Sequence, residues 1–502
     1  MSDEQINLSE MTEQEQEENL RELIQIRHDK LTELRQSGKD PYQINSFKKT
    51  YQSAQIIQKF DKLEGKKVSI AGRITSKRIM GKASFSHILD NDGQIQVYLK
   101  TEALGQAYED YKKFDIGDIV GVVGTVFKTQ KGEVSVNACT ITLLSKSLLP
   151  LPEKWHGLKD NDLRYRQRYV DLIANPSVKS TFLSRSKIIS AIRSFLDKKG
   201  FLEVETPILS TLAGGASARP FITHHNTLDQ KMYLRIAVEL HLKRLIVGGF
   251  EKVYELGRMF RNEGVSIKHN PEFSMMELYQ AYVGLEDMMK ITQDIVRTAA
   301  AAVGTADKIT YQGTDIFIDK PFEIITMADS VKKYCNVDFE NLTEDEAIKK
   351  ATQMGVELDK NRMSKGYALV GLFDKYVEEK LIQPTFITDY PVEISPLAKK
   401  KEGTNYTHRF EFFMYGREIG NAFCELNDPI DQKQRLLYQL KLKEGGDDEA
   451  QPYDEDFVTA LEYGMPPTGG LGLGIDRLVM LLTDSASIKD VILFPTMKPK
   501  NR

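Results

Sequence analysis

Hydrophobic residues recur with two different periods along the first part of the chain. From about Gln16 to Gln36 they are spaced three or four residues apart, which predicts an amphipathic helix that ends near Gly38. From Lys66 to Leu144 the period shortens to two, with glycine-containing turns between the runs, which predicts five strands. The polar stretch at residues 102–113 predicts a short helix among them. Five strands in about 80 residues predict an OB-fold β-barrel.

A different pattern begins beyond the Leu-Pro-Leu-Pro segment at residues 149–152, which marks a boundary. Amphipathic helices are predicted at 185–199, 233–247 and over most of 330–385, and strands at 201–206, 253–260, 272–279, 409–425 and 469–474. The last strand is rich in glycine and leads into a helix from Ile475. Long strands in this order predict an α+β fold, in which a mainly antiparallel sheet is flanked by helices.

These elements divide the chain into five segments. Residues 1–20 form an acidic tail that is expected to be disordered, and residues 21–65 form a helix and a connector. The barrel occupies residues 66–148. Residues 149–184 form a linker that leads into the second domain, which occupies residues 185–502.

The composition is that of a globular protein, with 41% hydrophobic and 28% charged residues. No apolar run approaches the length of a membrane span, and the N-terminus lacks the basic and apolar regions of a signal peptide. Cys139, Cys335 and Cys424 lie far apart without a CxxC pair, so buried thiols are expected and neither a disulfide framework nor zinc is. We therefore expect a cytoplasmic protein without membrane contact.

The charge is distributed unevenly along the chain. The net charge is −4, and residues 1–20 hold seven acidic residues and no Lys or Arg. Residues 21–150 contain 21 Lys and Arg against 14 Asp and Glu, which gives this segment a charge of +7. A basic barrel is suited to contact with phosphates, although a solvated lysine-rich surface explains the charge equally well.

The richest chemical segment lies between the two strands at residues 253–279. Arg261 precedes a turn and Glu263 follows it, so the guanidinium could clamp a phosphate while the carboxylate accepts from an adenine amino group. Phe273 could stack on the base. Strand alternation then places Phe273, Met275, Glu277 and Tyr279 on one face. A salt-bridged hairpin without a ligand remains the alternative.

Two further groups of residues suit a nucleotide site. Glycines at 469–474 would allow close approach of a ligand, and Arg477 falls in the first turn of the following helix, where an anion is favoured. This pattern matches neither the Rossmann nor the P-loop motif, and tight helix–strand packing is its alternative. Glu411 and Glu418, near Arg417, are carboxylates of the kind that hold Mg²⁺, or else they belong to a charged strand edge.

One apparent motif is rejected. The segment Arg362–Gly366, RMSKG, resembles the KMSKS loop of class I synthetases, but the chain contains no HIGH motif to act with it. A surface loop is therefore predicted there.

Taken in order, three segments resemble motifs 1, 2 and 3 of the class II aminoacyl-tRNA synthetases: residues 185–207, residues 253–279 with FRNEG and HNPEF, and residues 469–482 with GLGLGIDR. From about residue 60 onward the chain is similar to the bacterial lysyl-tRNA synthetases, through RIMGKASF, LRYRQRYVDLI, GGASARPFITHHN, ELHLKRLIVGGFEKVYELGR, MMELYQAY, LIQPTFITDYPVEISPLAKK and DVILFP. The resemblance implies an ATP-dependent ligase of protein biosynthesis. Such an enzyme activates lysine as an adenylate, transfers it to the 3′ end of its tRNA, and releases AMP and pyrophosphate. A homodimer formed through motif 1, Mg²⁺ bound with ATP, and a helical insertion at 330–385 are also implied.

The resemblance further implies a role for each matching residue. The side-chain ammonium of lysine would be bound by Glu277, Tyr279 and Glu425, its α-ammonium by Gly215 and Glu239, its carboxylate by Arg261 and Asn421, and its aliphatic stem by Phe423. ATP would be bound by Arg261, Glu263, His269, Asn270, Phe273, Gly472 and Arg477, and magnesium by Glu411 and Glu418. Arg261 and Arg477 would be the catalytic residues, acting by positioning and charge neutralisation. In the barrel, Arg78, Phe85, Gln96 and Glu133 would contact the anticodon.

Three other functions compete with this one. Aspartyl- and asparaginyl-tRNA synthetases share the architecture, but Glu277 and Glu425 would oppose an acidic or amide substrate. A lysylase of a translation factor would lack the barrel at 66–144. A non-catalytic nucleic-acid-binding module would have no use for Arg261, Glu263 and Arg477.

Overall fold

Two units make up the chain, Met1–Gly157 and Leu158–Arg502. The structure, a computed structural model, describes residues 13–152, 160–359, 362–447 and 450–499. Within these ranges no helix has both the length and the apolar character needed to cross a membrane.

The first unit is built around a closed barrel of five strands in the order β1-β2-β3-β5-β4. Its elements are α1 (Glu13–Gln36), α2 (Ser53–Gln58), α3 (Phe60–Leu63), β1 (Lys67–Met80), β2 (Ala83–Leu89), β3 (Gln94–Lys100), α4 (Thr101–Leu104), α5 (Gln106–Lys112), β4 (Ile119–Lys128) and β5 (Val134–Ser145), with a 3₁₀ turn at Pro41–Gln43. The barrel closes because β4 pairs with β1. The predicted OB-fold is confirmed.

The barrel encloses polar as well as apolar side chains. Strands β2 and β3 alternate buried and half-buried residues, as the period of two predicts. The inward Ser84 and Ser86 form hydrogen bonds of 2.7 and 2.6 Å with the buried hydroxyls of Tyr108 and Tyr111. The helix between β3 and β4 therefore satisfies the buried polar groups of the strands.

The helix α1 begins earlier than predicted. It starts at Glu13, so residues 13–20, assigned from the sequence to a disordered tail, are helical. Glutamate is a good helix former and is favoured near a helix N-terminus, so the acidic run can join the helix that follows it. Residues 1–12 lie outside the described part of the chain.

The second unit contains the remaining helices and strands. They are α6 (Asn161–Arg166), α7 (Arg168–Ala174), α8 (Pro176–Lys198), β6 (Leu202–Glu203), β7 (Leu209–Ser210), β8 (Ile222–His225), β9 (Gln230–Leu234), α9 (Glu239–Val247), β10 (Lys252–Phe260), β11 (Glu272–Ala281), α10 (Leu285–Ala301), β12 (Lys308–Tyr311), β13 (Thr314–Phe317), β14 (Glu323–Thr326), α11 (Met327–Cys335), α12 (Glu344–Gln353), α13 (Lys365–Tyr376), β15 (Thr385–Thr388), β16 (Arg409–Phe413), β17 (Glu418–Cys424), α14 (Pro429–Glu444), α15 (Glu455–Glu462), β18 (Thr468–Gly474), α16 (Ile475–Leu482) and α17 (Ile488–Val491). Short 3₁₀ turns lie at Glu378–Lys380 and Val392–Ile394.

An eight-stranded sheet organises this unit, in the order β14-β15-β16-β17-β18-β11-β10-β6. Only its outermost pairs, β14 with β15 and β10 with β6, are parallel. Helices α8, α10 and α16 cover one face, where Met276 and Leu278 of β11 join their core. Helices α9 and α15 pack against the other face. The mainly antiparallel sheet and the α+β class are confirmed.

Four predicted elements have different bounds. Helix α8 begins at Pro176 rather than residue 185, because proline is well placed at the first position of a helix. Residues 233–247 are not one helix: Tyr233 and Leu234 belong to β9, and α9 begins at Glu239. The strand predicted at 201–206 is only two residues long. The strand predicted at 409–425 is a hairpin of β16 and β17, because Tyr415 and Gly416 both have positive φ and form its turn.

The thiols are less buried than expected. Cys139 is exposed, and Cys335 and Cys424 are half-buried. The prediction of buried thiols is therefore wrong for Cys139, which is the extra residue of a bulge in β5, between Ala138 and Thr140, and is exposed there. The RMSKG segment contributes Ser364 as the N-cap of α13, while Met363 before it is exposed.

Candidate active site

Two rows of residues run side by side across the sheet. The first consists of Glu411, Asn421, Gly472 and Glu277, and the second of Arg409, Phe423, Gly470 and Tyr279, in each case from β16, β17, β18 and β11. Members of the two rows are two positions apart on each strand, so both rows face the same side. The face is the one opposite the α10 core, which confirms the predicted alternation along β11.

Two adjoining clefts open on this face. The first is lined by the candidate nucleotide ligands Arg261, Glu263, His269, Asn270, Phe273, Gly472 and Arg477. The second is lined by the candidate amino-acid ligands Gly215, Glu239, Arg261, Glu277, Tyr279, Asn421 and Phe423, together with Glu411 and Glu418. Arg261 lines both clefts. The structure thus brings together residues that are more than 200 positions apart in the sequence.

Two arginines, Arg261 and Arg477, provide positive charge in the first cleft, with His269 beside them. The guanidinium of Arg261 lies 5.1 Å from the ring centre of Phe273. Arg477 donates to the backbone carbonyl of Glu418 at 2.6 Å, and its other terminal nitrogen lies 3.2 Å from Nε2 of His269. Partial burial, followed by the charge of Arg477, lowers the pKa of His269. A neutral imidazole can accept from Arg477 and leave the second nitrogen to Ser266, 3.0 Å away.

Two anchors fix the frame of this cleft. Asp476, next to Arg477, accepts from Arg185 of α8 at 2.5 Å and from the backbone N–H of Ser274 at 2.7 Å. Asn270 accepts from the backbone N–H of Thr496 at 3.1 Å. The start of α16, the strand β11 and the loop before it are therefore tied together, and sequence analysis had not assigned a role to Asp476 or Arg185.

Two buried carboxylates, those of Glu239 and Glu277, line the second cleft, and a third, that of Glu425, lies next to Gly470 of the cleft without lining it. Glu239, Glu277 and Glu425 are exposed by 6%, 3% and 1%. The carboxylate of Glu277 accepts from the backbone N–H of Val238 at 3.2 Å and from the hydroxyl of Tyr279 at 3.1 Å. Burial, and then the charge of Glu239, raises the pKa of Glu277 to about 7. Burial also raises the pKa of Glu239 and of Glu425.

Glycines provide the room for these side chains. A Cβ atom at Gly470 would lie 2.0 Å from Oε1 of Glu425 and 2.6 Å from Cε1 of Tyr279. At Gly215, which has φ of 87°, a Cβ atom would lie 3.1 Å from that of Glu239. Both glycines are needed because the ligand residues pack directly on their backbone.

A buried lysine that the sequence analysis missed lies behind the second cleft. Nζ of Lys243 donates to Glu239 at 2.6 Å and forms an ion pair with Glu425, and its side chain is 0% exposed. Glu239 and Lys243 are four residues apart on α9, a spacing that the sequence does display. No local pattern in the sequence predicts the ion pair of Lys243 with Glu425, because the two residues lie far apart along the chain.

Glu411 and Glu418 lie on the two strands of the β16–β17 hairpin. Burial, and then the charge of Glu418, raises the pKa of Glu411 to about 7. Arg409 and the hydroxyl of Tyr390 contact Glu411 at 2.5 and 2.9 Å, and Arg477 contacts the carboxylate of Glu418 at 3.4 Å. The expected neighbour Arg417 instead lies 5.3 Å over the ring of Tyr311, because it continues past the hairpin turn.

Two neighbouring carboxylates, such as those of Glu411 and Glu418, suit a cation that is also bound by phosphate oxygens, as Mg²⁺ commonly is. No group of three or more His, Cys, Asp or Glu placed to hold a metal ion occurs in the described ranges.

In the barrel, the four candidate anticodon residues meet on β1, β2, β3 and the start of β5. Phe85 stacks on Tyr98 with ring centroids 4.7 Å apart. Arg78 of β1 lies opposite Phe85 of β2 in the register of the two strands. Gln96 donates to Glu133 at 2.7 Å, and Nε2 of His87 lies 3.1 Å from the same carboxylate. Tyr98 and His87 were not foreseen from the sequence. The site offers an aromatic surface beside hydrogen-bonding groups, as recognition of an unstacked base requires.

Comparison with known proteins agrees with this geometry. Residues 160–498 match the family of class II tRNA synthetases (D, K and N), and residues 68–144 match the OB-fold nucleic acid binding domain of the anticodon-binding family. The chain is 60% identical over 487 residues to the lysine–tRNA ligase of Thermoanaerobacter pseudethanolicus, covering 96% of this chain and 97% of that protein. It is 55% identical over 505 residues to the lysine–tRNA ligase of Clostridium perfringens, covering 100% of both. With both domains matched in order and the full length covered, the chain belongs to the class II tRNA synthetases and, among them, to the lysine–tRNA ligases.

Proposed function

We propose that the protein activates L-lysine with ATP and transfers it to the 3′ end of the tRNA for lysine. The observation that carries this proposal is that two clefts adjoin at Arg261, one lined also by Arg477 and His269 and the other by the buried carboxylates of Glu239 and Glu277, with Glu425 next to it. A guanidinium placed between them can bind the α-phosphate of ATP and the carboxylate of lysine at once. Arg261 would then hold the two reacting groups in line.

In the first step an oxygen of the lysine carboxylate attacks the α-phosphorus, and pyrophosphate leaves. No side chain has to act as a nucleophile, because the substrate supplies one. Arg261 offsets negative charge at the α-phosphate, while Arg477 and His269 bind the terminal phosphates. Glu263 accepts from the adenine amino group, and Phe273 stacks on the base. Glu411 and Glu418 would hold Mg²⁺, which supplies further neutralisation of the phosphates.

Selection of lysine follows from the charge of the second cleft. The side-chain ammonium is assigned to Glu277, Glu425 and Tyr279, and the α-ammonium to Gly215 and Glu239. Asn421 assists Arg261 at the carboxylate, and Phe423 packs on the stem. An aspartate side chain would face buried carboxylates, and burial of like charges is strongly unfavourable. This argues against the aspartyl and asparaginyl alternatives.

In the second step the terminal hydroxyl of the tRNA attacks the carbonyl of the adenylate, and AMP leaves. The barrel would bind the anticodon, with Phe85 stacking on one base and Arg78, Gln96 and Glu133 forming hydrogen bonds to base edges. Its charge of +7 over residues 21–150 would add affinity for the phosphate backbone.

A homodimer is proposed on the surface formed by the motif 1 segment and the strands that follow. Leu183, Leu202, Ile208 and Ile222 are exposed by 53%, 47%, 47% and 60%. Apolar side chains so close in sequence and so exposed are typical of a surface that another chain covers. Sedimentation that detects an active monomer at low concentration would refute this assignment.

A cytoplasmic location is proposed for the enzyme.

The test of the proposed function is ATP–pyrophosphate exchange with lysine, aspartate and asparagine supplied separately. Exchange is expected with lysine alone, followed by charging of tRNA for lysine when that tRNA is added. Exchange with aspartate or asparagine would overturn the substrate assignment. Lysine-dependent exchange without any tRNA charging would instead favour the lysylase alternative.

A further inference from the structure

Lys243 contacts both groups of proposed lysine ligands without touching the substrate site. Its ammonium donates to Glu239, assigned to the α-ammonium of the substrate, and pairs with Glu425, assigned to the side-chain ammonium. Lys243 does not line the cleft and is 0% exposed. The rings of Phe423 and Phe457 lie 5.4 and 5.8 Å from Nζ. One buried cation thus connects the two ends of the pocket from behind.

Lys243 offsets one of the charges of the three carboxylates assigned to the ammonium groups, while Arg409 in the same cleft is paired with Glu411. Glu239, Glu277 and Glu425 supply three negative charges, and Lys243 supplies one positive charge. The remaining charge of minus two balances the charge of plus two on the two ammonium groups of lysine. Arg261 separately matches the substrate carboxylate. Since unbalanced buried charge is strongly unfavourable, a pocket with this balance favours an amino acid that carries exactly one extra cation on its side chain.

We propose that Lys243 is a positioning and specificity residue of the lysine pocket: it holds Glu239 and Glu425 in place and sets the charge of the pocket to minus two. This inference rests on the proposed function, because it takes the ligand assignments of Glu239, Glu277 and Glu425 from there.

The pairing also keeps Lys243 charged. Burial alone would lower the pKa of Lys243, but the carboxylates of Glu239 and Glu425 raise it above its ordinary value. In turn the ammonium of Lys243 favours the ionised forms of both carboxylates. The other charged or titratable groups that act on these carboxylates are Glu277, Tyr279 and Arg409, with Arg261 acting on Glu277. Without Lys243 the carboxylates would retain protons to higher pH, and lysine would have to displace them.

The experiment is lysine-dependent ATP–pyrophosphate exchange by the full-length wild type, Lys243→Met and Lys243→Arg at several pH values. At about pH 7 we expect Lys243→Met to raise the KM for lysine about tenfold or more, since one unit of pKa corresponds to a factor of ten in the ionised fraction. As the pH rises, the ratio of the KM of the variant to that of the wild type should fall, because the carboxylates of the variant lose the protons that Lys243 displaces in the wild type. The KM for ATP should not change. Lys243→Arg keeps the charge, so its pH profile should follow that of the wild type.

Controls separate this role from a merely structural one. Lys290→Met removes an exposed lysine of α10 that pairs with Asp294, and its KM for lysine should equal that of the wild type. Lys243→Gln provides a second neutral variant in case Lys243→Met does not fold, and it must show the same pH dependence. The inference would be overturned if the KM for lysine of the neutral variants equals that of the wild type. It would also be overturned if the ratio of the two KM values does not change with pH. Failure of the wild type to exchange with lysine would instead refute the proposed function.

Discussion

Asn421 of β17 and Glu277 of β11 lie opposite the same residue, Gly472 of β18, one on each side. Because adjacent strands are about 4.8 Å apart, the backbones that carry these two side chains are held about 10 Å from each other. The glycine between them adds no side chain to that space. The proposed carboxylate ligand and ammonium ligand of lysine are therefore positioned by the sheet itself, and the following predictions test this arrangement.

Glu425→Gln should raise the KM for lysine strongly and leave the KM for ATP nearly unchanged. The substitution keeps the shape but removes one charge, and it also leaves Lys243 with only Glu239 as an ion-pair partner. Losing one partner of a buried ion pair costs about 3–5 kcal/mol, or about a hundredfold or more in binding. The substitution should weaken the binding of norleucine, which lacks the side-chain ammonium, less than it weakens the binding of lysine. The exposed Glu286, changed to Gln, is the matched control. An unchanged KM for lysine would show that Glu425 does not act on the side-chain ammonium.

Arg261→Ala should abolish formation of the adenylate in a protein that still folds. Arg261 lines both clefts, so its loss removes a contact to each reacting group. Arg258→Ala, three residues earlier on β10, removes an arginine that is partly exposed and paired with Glu272, and it should retain exchange activity. Circular dichroism would establish folding, and near-normal exchange by folded Arg261→Ala would contradict the assigned role.

The affinity for lysine should fall as the pH drops below about 7. The pKa of Glu277 is raised to about 7 in the empty pocket, whereas a bound ammonium favours the ionised carboxylate. Lysine binding therefore needs a carboxylate that is ionised above that pH and protonated below it. Steady-state exchange should show a KM for lysine that rises by up to about tenfold per pH unit below pH 7. A KM for lysine that is flat from about pH 6 to about pH 8 would exclude this titration.

Gly470→Ala should damage the lysine pocket more than the nucleotide cleft. The added methyl group would overlap Glu425 and Tyr279 and force one of them to move. Overpacking of this kind costs about 1–3 kcal/mol of stability, which thermal unfolding would detect, and the KM for lysine should rise. Gly284→Ala, where a Cβ atom would meet nothing within 4 Å, is the control. Equal behaviour of the two variants would contradict the prediction.

Phe85→Ala should weaken charging of tRNA without affecting activation of lysine. Loss of one base-stacking contact costs about 1–3 kcal/mol, so the KM for tRNA should rise at least severalfold. ATP–pyrophosphate exchange by the same variant needs no tRNA and provides the internal control. Reduced exchange would mean that Phe85 acts on the fold rather than on the anticodon.

The sequence predicted those parts of the site whose pattern is local. The alternation of Phe273, Met275, Glu277 and Tyr279 follows from one strand, and the structure places them on the face of the clefts. Strands β2 and β3 of the barrel show the predicted pattern most clearly, because their inward residues repeat every second position. The fold could therefore be predicted as α+β with a barrel.

What the sequence did not predict depends on contacts between distant segments. Lys243 of α9 pairs with Glu425, which follows β17, and Arg409 of β16 contacts Asn421 on the neighbouring strand β17. A lysine four residues after a glutamate on a helix resembles an ordinary surface pair, and only burial distinguishes it. The bounds of β9 and α9 were missed because an apolar run around Tyr233 fits either a strand or a helix.

The glycines of β18 limit how the enzyme could be redesigned. A pocket is usually enlarged by trimming a side chain, but at Gly470 and Gly472 the floor of the cleft is already bare backbone. A pocket for a longer amino acid would therefore require substitution of the carboxylates or of Tyr279. Each of these changes would also alter the charge of the pocket or the hydrogen bond from Tyr279 to Glu277. Filling the pocket for a shorter amino acid meets the same limit, since a side chain added at Gly470 would overlap Glu425 and Tyr279.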